Sequence, residues 1–276
     1  MSIFGRKDRQ HYLLELYKIS DQQSASDFDT QELVLQAVEL LENLTGVKAD
    51  NFSLNYSSKS YKTIRGFKSQ FQRYKEVVYC YVGFNSNETN TYFTVSNPLL
   101  NYLKNAKRPD NSAIGISFQV DENLIGDIKI QTLAEQLIKK FPFEYGYIHK
   151  FLTRKFSGEK RLKKGLFSTS VSVDEMDHLW TNHQIGITNG YLKKLYLINY
   201  INQSHNSNPT ISELTQSYGQ NNQISDNIGK WKVTNEELQE LINLEELLDS
   251  CIVTEDCRFL NNPKSTQFKT KMTVEE

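Results

Sequence analysis

Between Ala113 and Leu152 the chain reads as strand, helix, strand, and this order limits what the whole can fold into. Ala113 to Val120 is a β-prone run. Ile128 to Lys140 carries Leu133, Leu137 and Ile138 on one helical face, and Phe143 to Leu152 is a strand rich in aromatics. Such a unit has enough chain for a parallel crossover. Upstream, Val77 to Phe84 and Thr91 to Val95 flank the turn-forming cluster Asn85 to Asn90, so those two runs are expected to pair as an antiparallel hairpin. The expected fold class is therefore α+β, a mixed, mainly antiparallel sheet flanked by helices.

The remaining elements follow the same logic. Asp27 to Leu44 opens on Asp/Thr capping candidates and spaces Leu33, Ala37, Leu40, Leu41 and Leu44 as a helix, with Gly46 as its stop. Asn51 to Ser58 alternates Phe52, Leu54 and Tyr56 as a strand; Tyr61 to Gln72 is either a surface strand or a linking helix. Pro98 to Leu103 is one helical turn, and the linker-like 104–112, with Arg108-Pro109-Asp110-Asn111, is where a subdomain boundary would fall in an otherwise single globular domain, 1–276. Val173 to Trp180 reads as a short helix. Thr188 to Asn202 fits a helix through Tyr191, Leu195 and Ile198, or a strand through Tyr196, Ile198 and Tyr200. Its length and lack of an internal breaker favour the helix, although Gly190 weakens its start. Polar loops are expected at Gln203 to Thr210 and Gly219 to Asn227, around a short helix at Ile211 to Tyr218. Lys230 to Val233 reads as a strand, Asn235 to Leu248 as an amphipathic helix and Cys251 to Leu260 as a last strand, with 263–276 as a frayed tail.

Composition excludes some function classes. A chain of 276 residues with 38% hydrophobic and 12% aromatic content can build a sizeable core. A net charge of -1 gives no global field towards nucleic acid or an anionic membrane, so a charged partner must be met by a local patch. The polar N-terminus lacks a signal-peptide run, and no segment reaches membrane-spanning length. Three cysteines, an odd number, read as cytosolic thiols. The expected location is the cytoplasm, away from membranes.

No residue set forms a catalytic or cofactor motif. His178 and His183 with Asp174, Glu175 and Asp177 are the nearest approach to a metal cluster, but five residues do not put two imidazoles on one helical face. Cys251 and Cys257, beside Glu255 and Asp256, read as structural rather than as a thiol site. No serine lies in a Gly-x-Ser-x-Gly elbow, and Gly83, Gly115 and Gly126 stand alone rather than in a phosphate or dinucleotide loop. The sequence therefore implies no enzyme, no metal and no cofactor.

What stands out is tyrosine between Phe141 and Asn202, a residue suited to interfaces because its ring buries area while its hydroxyl stays wet. Tyr145, Tyr147, His149, Arg154, Trp180, Tyr191 and Tyr196 form the expected partner-contact set. The second reading is a nucleic-acid module at 150–167, where Lys150, Arg154, Lys155, Lys160, Arg161, Lys163 and Lys164 interleave with Phe151, Phe156 and Phe167. A solvated loop or a patch for an acidic protein explains the same run.

The stretch Ile185 to Leu192, then Tyr196 to Tyr200, a polar loop, Gly229-Lys230-Trp231-Lys232-Val233 and Asn235-Glu236-Glu237-Leu238 resembles the α+β immunity proteins of bacterial polymorphic-toxin and type VI secretion systems. The preceding strand, helix and Phe143 to Tyr147 strand fit the same order, so the likeness covers the later two-thirds of the chain. It implies neutralisation of one cognate toxin by tight, non-catalytic binding that occludes the toxin's active site. Asp174, Glu175, Asp177, Glu236, Glu237, Glu240, Glu245 and Glu246 would suit a basic toxin cleft, and the basic run at Arg154 to Lys164 an acidic toxin face.

Overall fold

Gln10–Ser20 (β1) is the strand around which the molecule is built. Its leucines are good helix formers, yet the run is apolar with period two on both faces. Tyr12, Leu14 and Leu16 enter one core; Leu13, Tyr17 and Ile19 face another. The computed structural model describes residues 9–55, 57, 59–71, 73–74, 76–84, 89–100, 112–152, 160–164, 169–173, 184–244 and 251–252.

The other strands are β2 (Ala49–Leu54), β3 (Ser60–Tyr61), β4 (Tyr79–Phe84), β5 (Thr91–Ser96), β6 (Ser112–Asp121), β7 (Tyr145–Leu152), β8 (Lys160–Lys164), β9 (Thr169–Val173), β10 (Ile198–Asn202), β11 (Gln220–Ser225) and β12 (Ile228–Lys232). Nine of them join β1 in one ten-stranded sheet in the order β11-β12-β10-β7-β1-β6-β5-β4-β2-β3, while β8 and β9 pair as a separate ribbon. Every ladder of the ten-stranded sheet is antiparallel, so the mixed sheet expected from sequence gives way to an antiparallel one.

The strand-helix-strand unit explains the difference. Asp127–Lys140 (α4) links β6 to β7, but β1 lies between them and pairs antiparallel with both. The two strands thus run parallel without touching, a split βαβ unit. Gln22–Asp27 (α1) is followed by Thr30–Thr45 (α2), which Asp29 caps by accepting the Glu32 N–H at 2.8 Å and which ends at Gly46. Ile64–Phe71 (α3) resolves the 61–72 alternative in favour of a helix, driving Phe67 and Phe71 under β2. Leu33, Val34, Ala37 and Leu41 of α2 and Ile130, Leu133, Ala134 and Leu137 of α4 fill the first core against the even-numbered side of β1. Each large apolar side chain buried there is worth about 2 kcal/mol, far above the tenths that helix propensity offers, so packing fixes these helices.

On the opposite face a second core joins β1, β7, β10 and β12 to Gln203–Asn206 (α5), Pro209–Ser217 (α6) and Asn235–Ile242 (α7), around Trp231, Tyr145, Tyr147 and Tyr200's neighbour Ile201. Here the helix expected over Thr188 to Asn202 is corrected. Gln184–Asn189 is a 3₁₀ turn, Gly190 takes φ 73° with Ser204 O where a Cβ would stand, and Ile198–Asn202 is a strand. Ile198 and Tyr200 face the first core and Ile201 the second, a double burial that favours a strand over a one-sided helix. The expected loop at Gly219 to Asn227 is instead the edge strand β11, whose polar sequence lacks the alternation of a half-buried one. The expected loop at Gln203 to Thr210 holds α5 and the start of α6. Of the expected last strand, Ile252 bridges Leu192; Val173, the first residue of the expected 173–180 helix, instead ends β9, and the rest of that helix, most of the 104–112 boundary and the 263–276 tail lie outside the described residues.

Candidate functional site

One row of the sheet registers Trp231, Asn199, Tyr147, Glu15, Ser117, Thr94, Tyr81 and Ser53 across eight strands on the face opposite α2 and α4. The first three are fully buried under the second core. From Glu15 onward the side chains are half-buried, and no residue of β2, β4, β5 or β6 belongs to that core. The same face therefore changes character at β1, from packed interior to a polar, tyrosine-lined floor.

Glu15 marks the boundary. Its Oε2 accepts hydrogen bonds from the hydroxyls of Tyr17 and Tyr147, and its Oε1 accepts from Ser117 Oγ at 3.1 Å. Lys193 donates from Nζ to Tyr147 Oη at 2.8 Å, lies 3.8 Å from Glu15 Oε2, and donates its backbone N–H to Tyr145 Oη at 3.1 Å. The ammonium's side chain is 4% exposed and the carboxylate's 17%. A buried charge must be paired and hydrogen-bonded, and these two are. Three hydroxyl donors aimed at one carboxylate hold it in place, so the cluster fastens the 190–197 segment to the central strand.

Beyond Glu15 the floor is built by β6, β5, β4 and β2. Tyr92 donates to Gln119 Oε1 at 3.2 Å and stacks on Tyr81 with centroids 5.4 Å apart. Burial pushes the Tyr92 phenol pKa up, with Tyr81 and Glu15 adding to the effect. Tyr79, Tyr81, Tyr92, Thr94, Ser96, Ser117 and Ser53 each keep part of their surface in water. This is a rigid, amphipathic surface, able to offer ring area and hydroxyls together.

Of the residues expected as partner contacts, the five within the described residues lie away from this floor. Tyr145, Tyr147 and Tyr196 are 0%, 0% and 3% exposed, so their rings belong to the second core rather than to the surface. Tyr147 stacks on Tyr196 at 4.1 Å and Tyr145 on His205 at 5.2 Å. His149 and Tyr191 are half-buried beside them, and burial, then Lys194 and Lys193, lowers the His149 pKa from 6.5 to about 4. Arg154 and Trp180 lie outside the described residues. The floor is not legible locally, because the hairpin that carries Tyr79, Tyr81 and Tyr92 shows its pairing in the sequence but not which of its faces is left uncovered. One signal was present: a single acid, Glu15, inside an apolar strand demands a partner.

Other chemistry is sparse. Among the described residues no group of three His, Cys, Asp or Glu side chains can hold a metal ion. Cys80 and Cys251 are buried, and burial pushes the Cys80 thiol pKa well up. Cys257, His178, His183 and their acidic neighbours lie outside the described residues. A hollow of about 450 Å³ at the α1–α2 junction is edged by Asp27, Asp29 and Glu76, but Asp29 is engaged as the cap of α2. Lys150, the first cation of the basic run, is bound to Glu122 and Asp127 at 2.9 and 3.2 Å. No helix among the described residues is long and apolar enough to cross a membrane.

No protein-family model matches the sequence, and no curated protein matches it. Among solved structures, the chain is similar to the Pseudomonas aeruginosa T6SS protein PA0821, with a TM-score of 0.55 and 9% sequence identity over 98% of this chain and 89% of that one. What the chain shares with that type VI secretion protein is its fold, over nearly the whole length of both.

Proposed function

We propose that this protein is a non-catalytic binding protein of a type VI secretion system, an immunity protein that neutralises one cognate effector by seating it on the tyrosine-lined half of the sheet. The observation that carries the reading is the make-up of that half. A sheet face that meets only water favours long charged side chains; this one carries Tyr79, Tyr81, Tyr92, Thr94, Ser117 and Ser53, with the carboxylate of Glu15 at the border. Tyrosine and serine are the residues of antibody-like contact surfaces, since they give contact area and adaptable hydrogen bonds at low entropic cost. Stacking and the bond to Gln119 hold the Tyr81 and Tyr92 pair in place before any partner arrives, which lowers the cost of ordering. The fold likeness to a type VI secretion protein supports the context. The proposed place of action is the cytoplasm, and the reading needs no cofactor.

The test is capture of candidate type VI effectors from the same genome by the full chain. Tyr81→Ala, Tyr92→Ala and Thr94→Arg together are expected to weaken binding by more than about thirtyfold, the scale of a hot-spot loss of ~2 kcal/mol, and to abolish protection of cells from the effector. Thermal melting should show the variant still folded. Undiminished capture by the folded triple variant would remove this face as the site.

The nucleic-acid reading of 150–167 is tested by titrating single-stranded DNA at low salt. Binding that weakens linearly in log salt would favour it, while Lys150's existing pairing with Glu122 and Asp127 favours the protein partner.

A further inference from the structure

The ten-stranded sheet ends in two edges built on different lines. At one, β3 has two residues, flanked in sequence by Lys59 and Lys62. Shortness and lysine are the usual protection of an open edge against another strand. At the other, β11 runs Gln220-Asn221-Asn222-Gln223-Ile224-Ser225, six residues with neither charge nor proline. Its inner side pairs with β12, and among the described residues no strand pairs with its outer side. A bulge between Gln223 and Ser225, where the Gln223 side chain donates to Ser225 O, closes one end of the strand. That leaves Gln220–Gln223, all exposed, as an open ladder of backbone donors and acceptors.

We infer that this edge is a docking surface for a second copy of the chain, joined antiparallel β11 to β11 across a two-fold axis normal to the sheet. The geometry of that operation selects the sequence. A two-fold axis normal to a sheet keeps each face on its own side, so a strand pairs with itself only in registers where one residue sits on the axis opposite its own copy. A charged residue there meets a like charge, which destabilises the pair. With Asn221 or Asn222 on the axis, amide meets amide, and each NH₂ group faces a carbonyl oxygen. An uncharged run of amides therefore suits self-pairing, whereas a basic or acidic partner strand would be met by opposite charge. A ladder of four polar residues makes the contact reversible rather than aggregating. It also lies at the far end of the sheet from β6, β5, β4 and β2, so a dimer leaves both tyrosine-lined floors open.

The experiment is sedimentation and light scattering of the full chain from micromolar to millimolar concentration. The wild type should pass from 32.0 kDa to twice that mass as concentration rises. Two double variants at exposed positions, Asn221→Lys/Asn222→Lys and Asn221→Glu/Asn222→Glu, should each move the dimerisation midpoint at least tenfold upward with unchanged circular dichroism. An equimolar mixture of the two should dimerise at or below the wild-type midpoint, because opposite charges then face each other. A wild type that stays monomeric throughout, or a dimer that both variants leave intact, overturns the inference.

Discussion

His205 shows what burial does to a single side chain. It is 0% exposed, stacked on Tyr145, with Nε2 donating to Tyr191 O at 3.1 Å. Desolvation lowers its pKa from 6.5 to about 4, opposed by the bond to Tyr191. Because the folded value lies below the unfolded one, the unfolded chain takes up a proton first as pH falls. The stabilisation is therefore complete above about pH 6.5 and is lost progressively towards pH 4, on the order of 3 kcal/mol for this group. Urea midpoints at pH 7 and pH 4.5 should differ more for the wild type than for His205→Gln; equal differences would mean that other groups carry the acid sensitivity. Single residues such as this one were poorly legible in the sequence. His205 lay in an expected loop, and Glu15 and Lys193 meet only because the fold brings together positions that no local pattern connects.

At the level of elements, the helices were legible because their causes are local. Asp29 caps α2, Gly46 stops it, and the apolar spacing of α2 and α4 is visible within one window. The hairpin of β4 and β5 was legible for the same reason. β1, β10 and β11 are not legible locally, and β10 reads as a helix and β11 as a loop, because each takes its identity from neighbours far along the chain. The β1–β7 ladder gives a sharp test. Gly146 stands against Glu15 O and the Leu16 side chain, and a Cβ there would come within 2.6 Å and 2.5 Å of them. Gly146→Ala should therefore cost about 1–3 kcal/mol, the range of an overpacked core site, as a lower urea midpoint. An unshifted midpoint would show that the strands separate freely at this point.

For the whole molecule, the two cores share one sheet and β1 lines both, so we expect the sheet and both cores to unfold as a single cooperative unit. In a Trp180→Phe background, Trp231 fluorescence reports the second core while far-UV circular dichroism is weighted to the helices of the first. The two denaturation curves should coincide; separate midpoints would mean two units that unfold independently. The position of β1 has a further consequence, for synthesis. Glu15 leaves the ribosome long before its neighbours, which follow 102 residues later at Ser117 and 132 later at Tyr147. Until β6 and β7 have both emerged, this strand, apolar on both faces, has no lasting place to go. A nascent chain of this design folds late and slowly, and holding β1 out of reach of other chains in the meantime falls to the chaperones that receive it.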